Sequence, residues 1–255
     1  MKTIDPKRET KRIVTFLKET FQKTSFSDAV IGLSGGIDSA VSFVLAVGAL
    51  RSDHVYPILL PCGGLNTQGV LDAMKLIEKF HIPFSHVVRI DITSTVDAVI
   101  KSDPMMDRVR RGNIMARVRM TCLFDQAKKR RALVVGTENK SEHLMGYFTR
   151  YGDSASDIEP IIHLYKTYIK ELAKHLGVPE EIIQKTPSAD LWPEQSDEGE
   201  LGFTYKEADE ILYLLVDEKK TDEEIIAAGH DNNIVLAVTR FVKKNSFKHT
   251  TPYVI

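Results

Sequence analysis

Asp28-Ala-Val-Ile-Gly-Leu33 followed by Ser34-Gly35-Gly36-Ile37-Asp38-Ser39 and then Ala40 to Leu50 is the stretch that decides the fold. The apolar run suits a strand buried on both faces, as in a parallel sheet. Two adjacent glycines remove Cβ atoms, so backbone N–H groups can turn inward and approach an anion closely. The helix expected from Ala40 adds its own N-terminal N–H groups and positive dipole end. Ser34 and Ser39 can donate hydroxyl hydrogen bonds. Asp38 would repel a bare phosphate, and makes sense if Mg²⁺ bridges its carboxylate to phosphate oxygens. A plain strand-to-helix turn would leave both serines and the aspartate unexplained. No Gly-Lys-Ser/Thr follows, so the loop is not a Walker A sequence, and it is not a dinucleotide Gly-x-Gly-x-x-Gly.

Outward from this loop the alternation repeats. His54 to Leu60, Ser85 to Ile92 and Ala132 to Gly136 read as strands; Asn66 to Phe80, Val96 to Ile100 and Asn113 to Lys129 read as helices. Strands alternating with helices indicate right-handed βαβ units and a parallel sheet. Ahead of it, Asp5-Pro6 predicts a helix start, with Ile13, Val14, Phe16, Leu17 and Phe21 at helical spacing. Gly146 to Asp157 and Pro187 to Gly202 read as long loops, and loops of that length in a compact domain are commonly functional. Ile158 to Leu176 predicts one helix stopped by Gly177 and Pro179; Tyr205 to Asp217, Asp222 to Ala228 and Asn232 to Lys244 predict three more. The expected architecture is one domain over residues 1–255: a doubly wound parallel sheet flanked by helices, with a helical C-terminal part.

Composition narrows the class. The 255 residues carry 34 Lys+Arg against 35 Asp+Glu, a net charge of −1, with 43% hydrophobic and 27% charged residues. That is ordinary for a globular chain and lacks the basic excess of a nucleic-acid binder. Cys62 and Cys122 cannot make a disulfide scaffold or a multi-cysteine zinc site, and are read as small buried residues. The start lacks an apolar signal core and no apolar run reaches the ~18 residues that span a bilayer, so a cytoplasmic location without membrane or nucleic-acid partners is expected. His54, His81, His86 and His143 form no ligand spacing.

The Ser34-Gly35-Gly36-Ile37-Asp38-Ser39 loop after a hydrophobic strand resembles the pyrophosphate loop of the ATP pyrophosphatases, whose fold is adenine nucleotide alpha hydrolase-like. Further segments resemble the NAD synthetases within that superfamily, in their order. They are Gly112-Asn113-Ile114-Met115-Ala116-Arg117-Val118-Arg119-Met120, Gly136-Thr137-Glu138-Asn139-Lys140-Ser141-Glu142, Gly146 to Asp153 with Asp157-Ile158-Glu159-Pro160, Leu164-Tyr165-Lys166-Thr167, and Pro187-Ser188-Ala189-Asp190-Leu191-Trp192. The resemblance implies ATP-dependent amidation of deamido-NAD: AMP is transferred to the nicotinate carboxylate, and ammonia then displaces it. No protein nucleophile is required; positioning and charge stabilisation carry the catalysis.

What the resemblance implies can be stated residue by residue. ATP is contacted by Gly32, Leu33, Ser34, Gly35, Gly36, Ile37, Asp38 and Ser39, and by Thr137, Lys166 and Ser188. Asp38 and Glu142 hold Mg²⁺, and Lys166 compensates phosphate charge. Asp153 serves the ammonia step. Arg117, Arg150, Asp157, Lys248 and His249 contact deamido-NAD, near the interface of a homodimer. Two departures stand out: Ser154 and Ala155 follow Asp153 where the family commonly has glycine first, and Arg150 stands where lysine is frequent. The length leaves no room for a glutaminase domain and residue 2 is lysine, so free ammonia or a separate donor is expected. A tRNA-thiolating enzyme would want a basic region and reactive cysteines, and a non-catalytic module would not need Asp38, Glu142 and Lys166 together.

Overall fold

The computed structural model describes residues 1, 3–250 and 252–254; Lys2, Thr251 and Ile255 lie outside the described residues. Helix α1, Pro6–Thr24, starts where Asp5 Oδ1 accepts from the Lys7 and Arg8 amides at 3.0 and 3.2 Å. It buries Ile13, Leu17 and Phe21, four residues apart on one face, and ends as Ser25 turns left-handed (φ 59°). Strand β1, Asp28–Gly32, leads into α2, Ile37–Leu50. Then come β2, Val55–Leu59; α3, Thr67–Lys79; β3, Val88–Arg89; α4, Thr93–Ile100; α5, Arg108–Arg130; and β4, Ala132–Val135. The four strands pair in parallel in the order β3-β2-β1-β4. β1 is central, and its Ala29, Val30 and Ile31 are fully buried.

This order places the site. The chain steps outward from β1 to β2 to β3, then crosses back to put β4 on the other side of β1. Connections leaving β1 and β4 therefore diverge, opening a crevice at the carboxyl ends of the strands, where such sheets bind ligands. Helices α1, α2 and α7 (Lys166–His175) cover one face, where Phe43, Leu45 and Leu172 are buried; α5 covers the other over Val30, Ile58 and Val134.

The rest is helical: α6, Lys140–Met145; α8, Glu180–Ile183; α9, Asp197–Leu201; α10, Tyr205–Leu212, extended by a π turn over Tyr213–Asp217; α11, Asp222–Ala227; and α12, Asn232–Asn245. Helix α8 packs with α2 and α7 through Ile182 and Ile183, and the others pack around Met145, Phe203, Leu212, Val235 and Val238. No helix among the described residues is long and apolar enough to cross a membrane.

Three expectations need correction. The third strand is two residues long, because Phe84–His86 coils into a 3-10 turn, although Ile90 and Ile92 still donate to Leu59 and Pro61. The Pro187–Gly202 loop contains α9. Ile158 to Leu176 is not one helix: α7 begins only at Lys166. Proline at 160 biases Glu159 to an extended conformation, and Ile158 bridges Val135 in parallel beside β4. Lys166 thus stands at a helix start, next to the strand ends, rather than in a helix interior.

Candidate active site

The phosphate loop is built by close backbone approach. Gly35 has φ +78°, and a Cβ there would lie 2.1 Å from the carbonyl oxygen of Gly69 in α3. Only glycine permits both the left-handed turn and the contact. Asn66 Nδ2 donates to Ser34 O at 2.9 Å, and Ser39 Oγ donates to Gly36 O at 3.0 Å. Gly36 caps α2 without a side-chain hydrogen bond, which leaves N–H groups of the first turn open toward the cleft.

Beside the loop three charged side chains from three elements converge. Lys166 Nζ pairs with Asp38 Oδ2 in a short contact and reaches Glu142 Oε1 at 3.3 Å. The lysine side chain is 3% exposed and both carboxylates are 18% exposed. Asn139 ties the group together, as its Nδ2 donates to Asp38 Oδ1 at 3.0 Å while its Oδ1 caps α6 by accepting from the Glu142 amide. From below, Ser141 Oγ accepts from the Lys166 amide at 2.9 Å and donates to the buried Asp209, which also accepts from the Thr167 amide at 2.8 Å. The Tyr205 ring lies 5.0 Å from Lys166 Nζ, and its hydroxyl donates to Asp197 Oδ2 at 3.0 Å.

Burial dominates the electrostatics. It pushes Glu142 up to about 8 against the opposing pull of Lys166, with Asp38 and Asp197 adding to the rise. Burial alone would lower the lysine, but Asp38 and Glu142 hold it above its ordinary range. Two carboxylates around one cation leave the group close to neutral once Glu142 carries a proton.

A cleft of about 460 Å³ opens over this group. Gly32, Leu33, Ser34, Gly36, Ile37, Asp38, Ser39, Thr137, Glu142, Asp153, Lys166, Ser188 and Lys248 line it. Gly35 is turned against Gly69 instead. Asp153 stands at the open mouth, where desolvation by the surrounding loops raises its carboxyl and a hydrogen bond from the Thr149 amide at 2.9 Å opposes the rise. Lys248 Nζ is held by the carbonyls of Gly146 and Phe148, each at 2.7 Å.

The other expected dinucleotide contacts do not line the cleft. Arg117 donates twice to Arg150 O, at 3.4 Å each, and Arg150 sits 5.5 Å from both the Tyr151 and Phe247 rings. Asp157 accepts from the Val134 amide at 2.8 Å at the sheet edge. The ring of His249 packs on His143 and Phe148.

Three groups around the site lie outside the segments that carry the resemblance: Asp197, Tyr205 and Asp209 come from the C-terminal helices. Arg119 stands inside the Gly112 to Met120 segment without an assigned role, and lines the cleft from α5. Glu159, inside the Asp157 to Pro160 segment, is likewise without one. Its carboxyl lies against Gly136, where a Cβ would come within 1.9 Å of Oε1. It accepts from Ser156 Oγ at 2.7 Å and from the Glu138 amide at 3.1 Å, bracing the turn that carries Thr137. Burial pushes it up to about 8. The free thiols are buried at Cys62 and half-buried at Cys122.

A glycine loop at the switch point of a parallel sheet, with a carboxylate–lysine–carboxylate group beside it, defines a phosphate-binding α/β protein of the ATP-pyrophosphatase type. The chain belongs to the NAD synthase family, whose model matches residues 9–252. It is 43% identical over 242 residues to the NH(3)-dependent NAD(+) synthetase of Fusobacterium nucleatum, covering 95% of this chain and 93% of that one. It is 45% identical over 240 residues to the protein of that name from Chlorobium phaeobacteroides, covering 94% and 86%. Among solved structures it is similar to NMN synthetase from Francisella tularensis, with TM-score 0.87, 33% identity and 99% of each chain covered. It is also similar to NH3-dependent NAD synthetase from Campylobacter jejuni, with TM-score 0.83, 33% identity and 99% and 100% covered.

Proposed function

We propose that this chain, acting as one domain, amidates deamido-NAD with ammonia at the expense of ATP, giving NAD, AMP and PPi through an adenylated nicotinate. The observation that carries the reading is the meeting of Asp38, Glu142 and Lys166 beside the open N-terminus of α2 in one cleft. Membership in a family of ATP-using synthases supports it, as do the names of the Fusobacterium and Chlorobium relatives.

A carboxylate oxygen attacks the α-phosphorus as the bond to pyrophosphate breaks. Ammonia then attacks the carbonyl carbon as the bond to AMP breaks. The amides of Gly36 and the first turn of α2, with the Ser34 and Ser39 hydroxyls, receive the pyrophosphate. Lys166 compensates its charge, and Thr137 and Ser188 contact ATP. Asp153 orients ammonium and takes its proton, a role that suits a raised carboxyl. Arg117, Arg150, Asp157, Lys248 and His249 contact deamido-NAD where a second copy completes the site, which makes the working form a homodimer.

Mg²⁺ fits the residues present: Asp38 and Glu142 offer hard oxygen donors around one point, now taken by an ammonium group. Among the described residues no three His, Cys, Asp or Glu side chains gather as a metal site; Asp38 and Glu142 are the residues that would hold the ion beside the phosphates. The ion, when bound, neutralises phosphate charge. A cytoplasmic setting suits two unpaired thiols.

A second reading puts nicotinate mononucleotide in the same cleft, favoured by the likeness to the Francisella structure. One assay separates them: protein, ATP, Mg²⁺ and ammonium with deamido-NAD, with nicotinate mononucleotide, or with neither, measuring AMP, PPi and amide. Amide, AMP and PPi in equal amounts from deamido-NAD are expected. Faster turnover of the mononucleotide selects the second reading. ADP as product, or turnover with neither acid, overturns both.

A further inference from the structure

The cations lining the cleft differ in what they hold. Lys166 is enclosed by two carboxylates, and Lys185 pairs with buried Asp72 at 3.3 Å. Lys248 is taken by two carbonyls, and Lys244 lies exposed. Arg119 is the exception. It is half-buried on α5, its Nε donates to Leu60 O at 3.2 Å just beyond β2, and no carboxylate of the described residues comes within 4.0 Å of its guanidinium. The groups that act on it through space are the Cys62 thiol and two carboxylates, Asp153 and Asp190, and both carboxylates line the same cleft.

A cation withdrawn from water without a counter-ion is costly unless a ligand supplies the anion. The phosphate anions already have receivers in the α2 N-terminus and Lys166. Arg119 is set apart from these, at the β2 end and toward Asp153. The other anion in the reaction is a carboxylate, whose two oxygens match a guanidinium fork.

Building on the amidation reading, we infer that Arg119 receives the carboxylate to be amidated and is the residue that distinguishes the acid from its amide product. Held by the fork, one carboxylate oxygen forms the bond to the α-phosphorus as the phosphorus–oxygen bond to pyrophosphate breaks. In the second step the nitrogen of ammonia forms the new bond to carbon, the carbon–oxygen bond to AMP breaks, and the surplus proton passes to Asp153 or solvent. The product has lost the charge that Arg119 held, so it leaves more readily than the acid.

Equilibrium titration tests this with two acid–amide pairs, deamido-NAD with NAD and nicotinate mononucleotide with nicotinamide mononucleotide, against wild type, R119Q and R119K. In R119Q the affinity for the acid should fall about 10- to 100-fold, the loss typical of a charge-assisted hydrogen-bonded pair. Affinities for the amide and for ATP should stay within about twofold, so the acid-to-amide ratio collapses; a merely structural residue would not move that ratio. R119K should lie between, keeping the charge but losing the fork. An R119Q protein that keeps the ratio, or that loses acid and amide together, overturns the inference. So does loss of ATP binding in both variants, because Arg119 then serves ATP or the fold. Wild-type protein that binds neither acid refutes the amidation reading itself and is scored before any variant is compared.

Discussion

Replacing Glu159 by glutamine should make the protein more stable in mildly alkaline solution. The carboxyl is lifted by burial from 4.5 to about 8. In the unfolded chain it loses its proton near the lower value; in the folded chain it keeps it until the upper one. Stability is therefore complete below pH 4.5 and falls as pH rises toward about 8, by ~1.4 kcal/mol for each pH unit. The whole interval corresponds to about 5 kcal/mol; the side chain retains some contact with solvent, and screening reduces the expected effect to roughly 2–3 kcal/mol. Glutamine has the same shape. Its Oε1 can accept from the Glu138 amide and its Nε2 can donate to Ser156 Oγ, so the bonds that brace the Thr137 turn survive while the titration disappears. Urea unfolding of both proteins at several values between about pH 5 and pH 8.5 gives the difference directly. The gap should move in favour of E159Q by that amount as pH rises. Parallel curves, within about 0.5 kcal/mol, would refute the claim that this carboxyl is held protonated.

Lys166→Met should abolish turnover and lower stability by about 2–4 kcal/mol, because Asp38 and Glu142 then face each other without a cation. The deficit should widen from about pH 8 to about pH 9.5 in thermal melts, because Glu142, raised further once the pull of Lys166 is gone, must still ionise where the wild-type group has finished; a deficit that shrinks over that range counts against the account. Gly35→Ala should weaken ATP binding about 100-fold or more, since a Cβ at φ +78° and 2.1 Å from Gly69 O displaces the loop by about an ångström. Equilibrium binding of ATP is the check, and near-normal affinity would show that the loop tolerates the shift. Gly136→Ala should act through Glu159, pushing its carboxyl off the backbone and lowering both stability and turnover; wild-type melting behaviour would argue against the brace.

Much of this arrangement was legible in the chain because it depends on short-range chemistry. The Asp5-Pro6 helix start, the buried Ala29 to Ile31 strand and the paired glycines are each decided by neighbouring residues. The misreadings arose where a distant partner decided the outcome. Ile158 is as apolar as a helix would want, but β4 offered it a strand to pair with. Asp197, Tyr205 and Asp209 look like ordinary polar positions on helices, and nothing near them in sequence reveals that Tyr205 and Asp197 close over Lys166 or that Asp209 holds Ser141 and the Thr167 amide beneath it. Arg119 reads as one more charge on a basic helix until the end of β2 turns out to lie against it.

The enclosure of Lys166 by residues from both ends of the chain has a consequence for synthesis on the ribosome. The sheet is complete once Val135 has emerged, and the lysine follows 31 residues later. The ring that covers it, at Tyr205, comes 166 residues after Ser39. At roughly 5–20 residues per second, the phosphate loop waits on the order of 10–30 s for its cover. During that interval a nascent chain has strand ends and an open helix terminus but no enclosed charge group. The enclosed charge group is therefore among the last parts of the site to be completed.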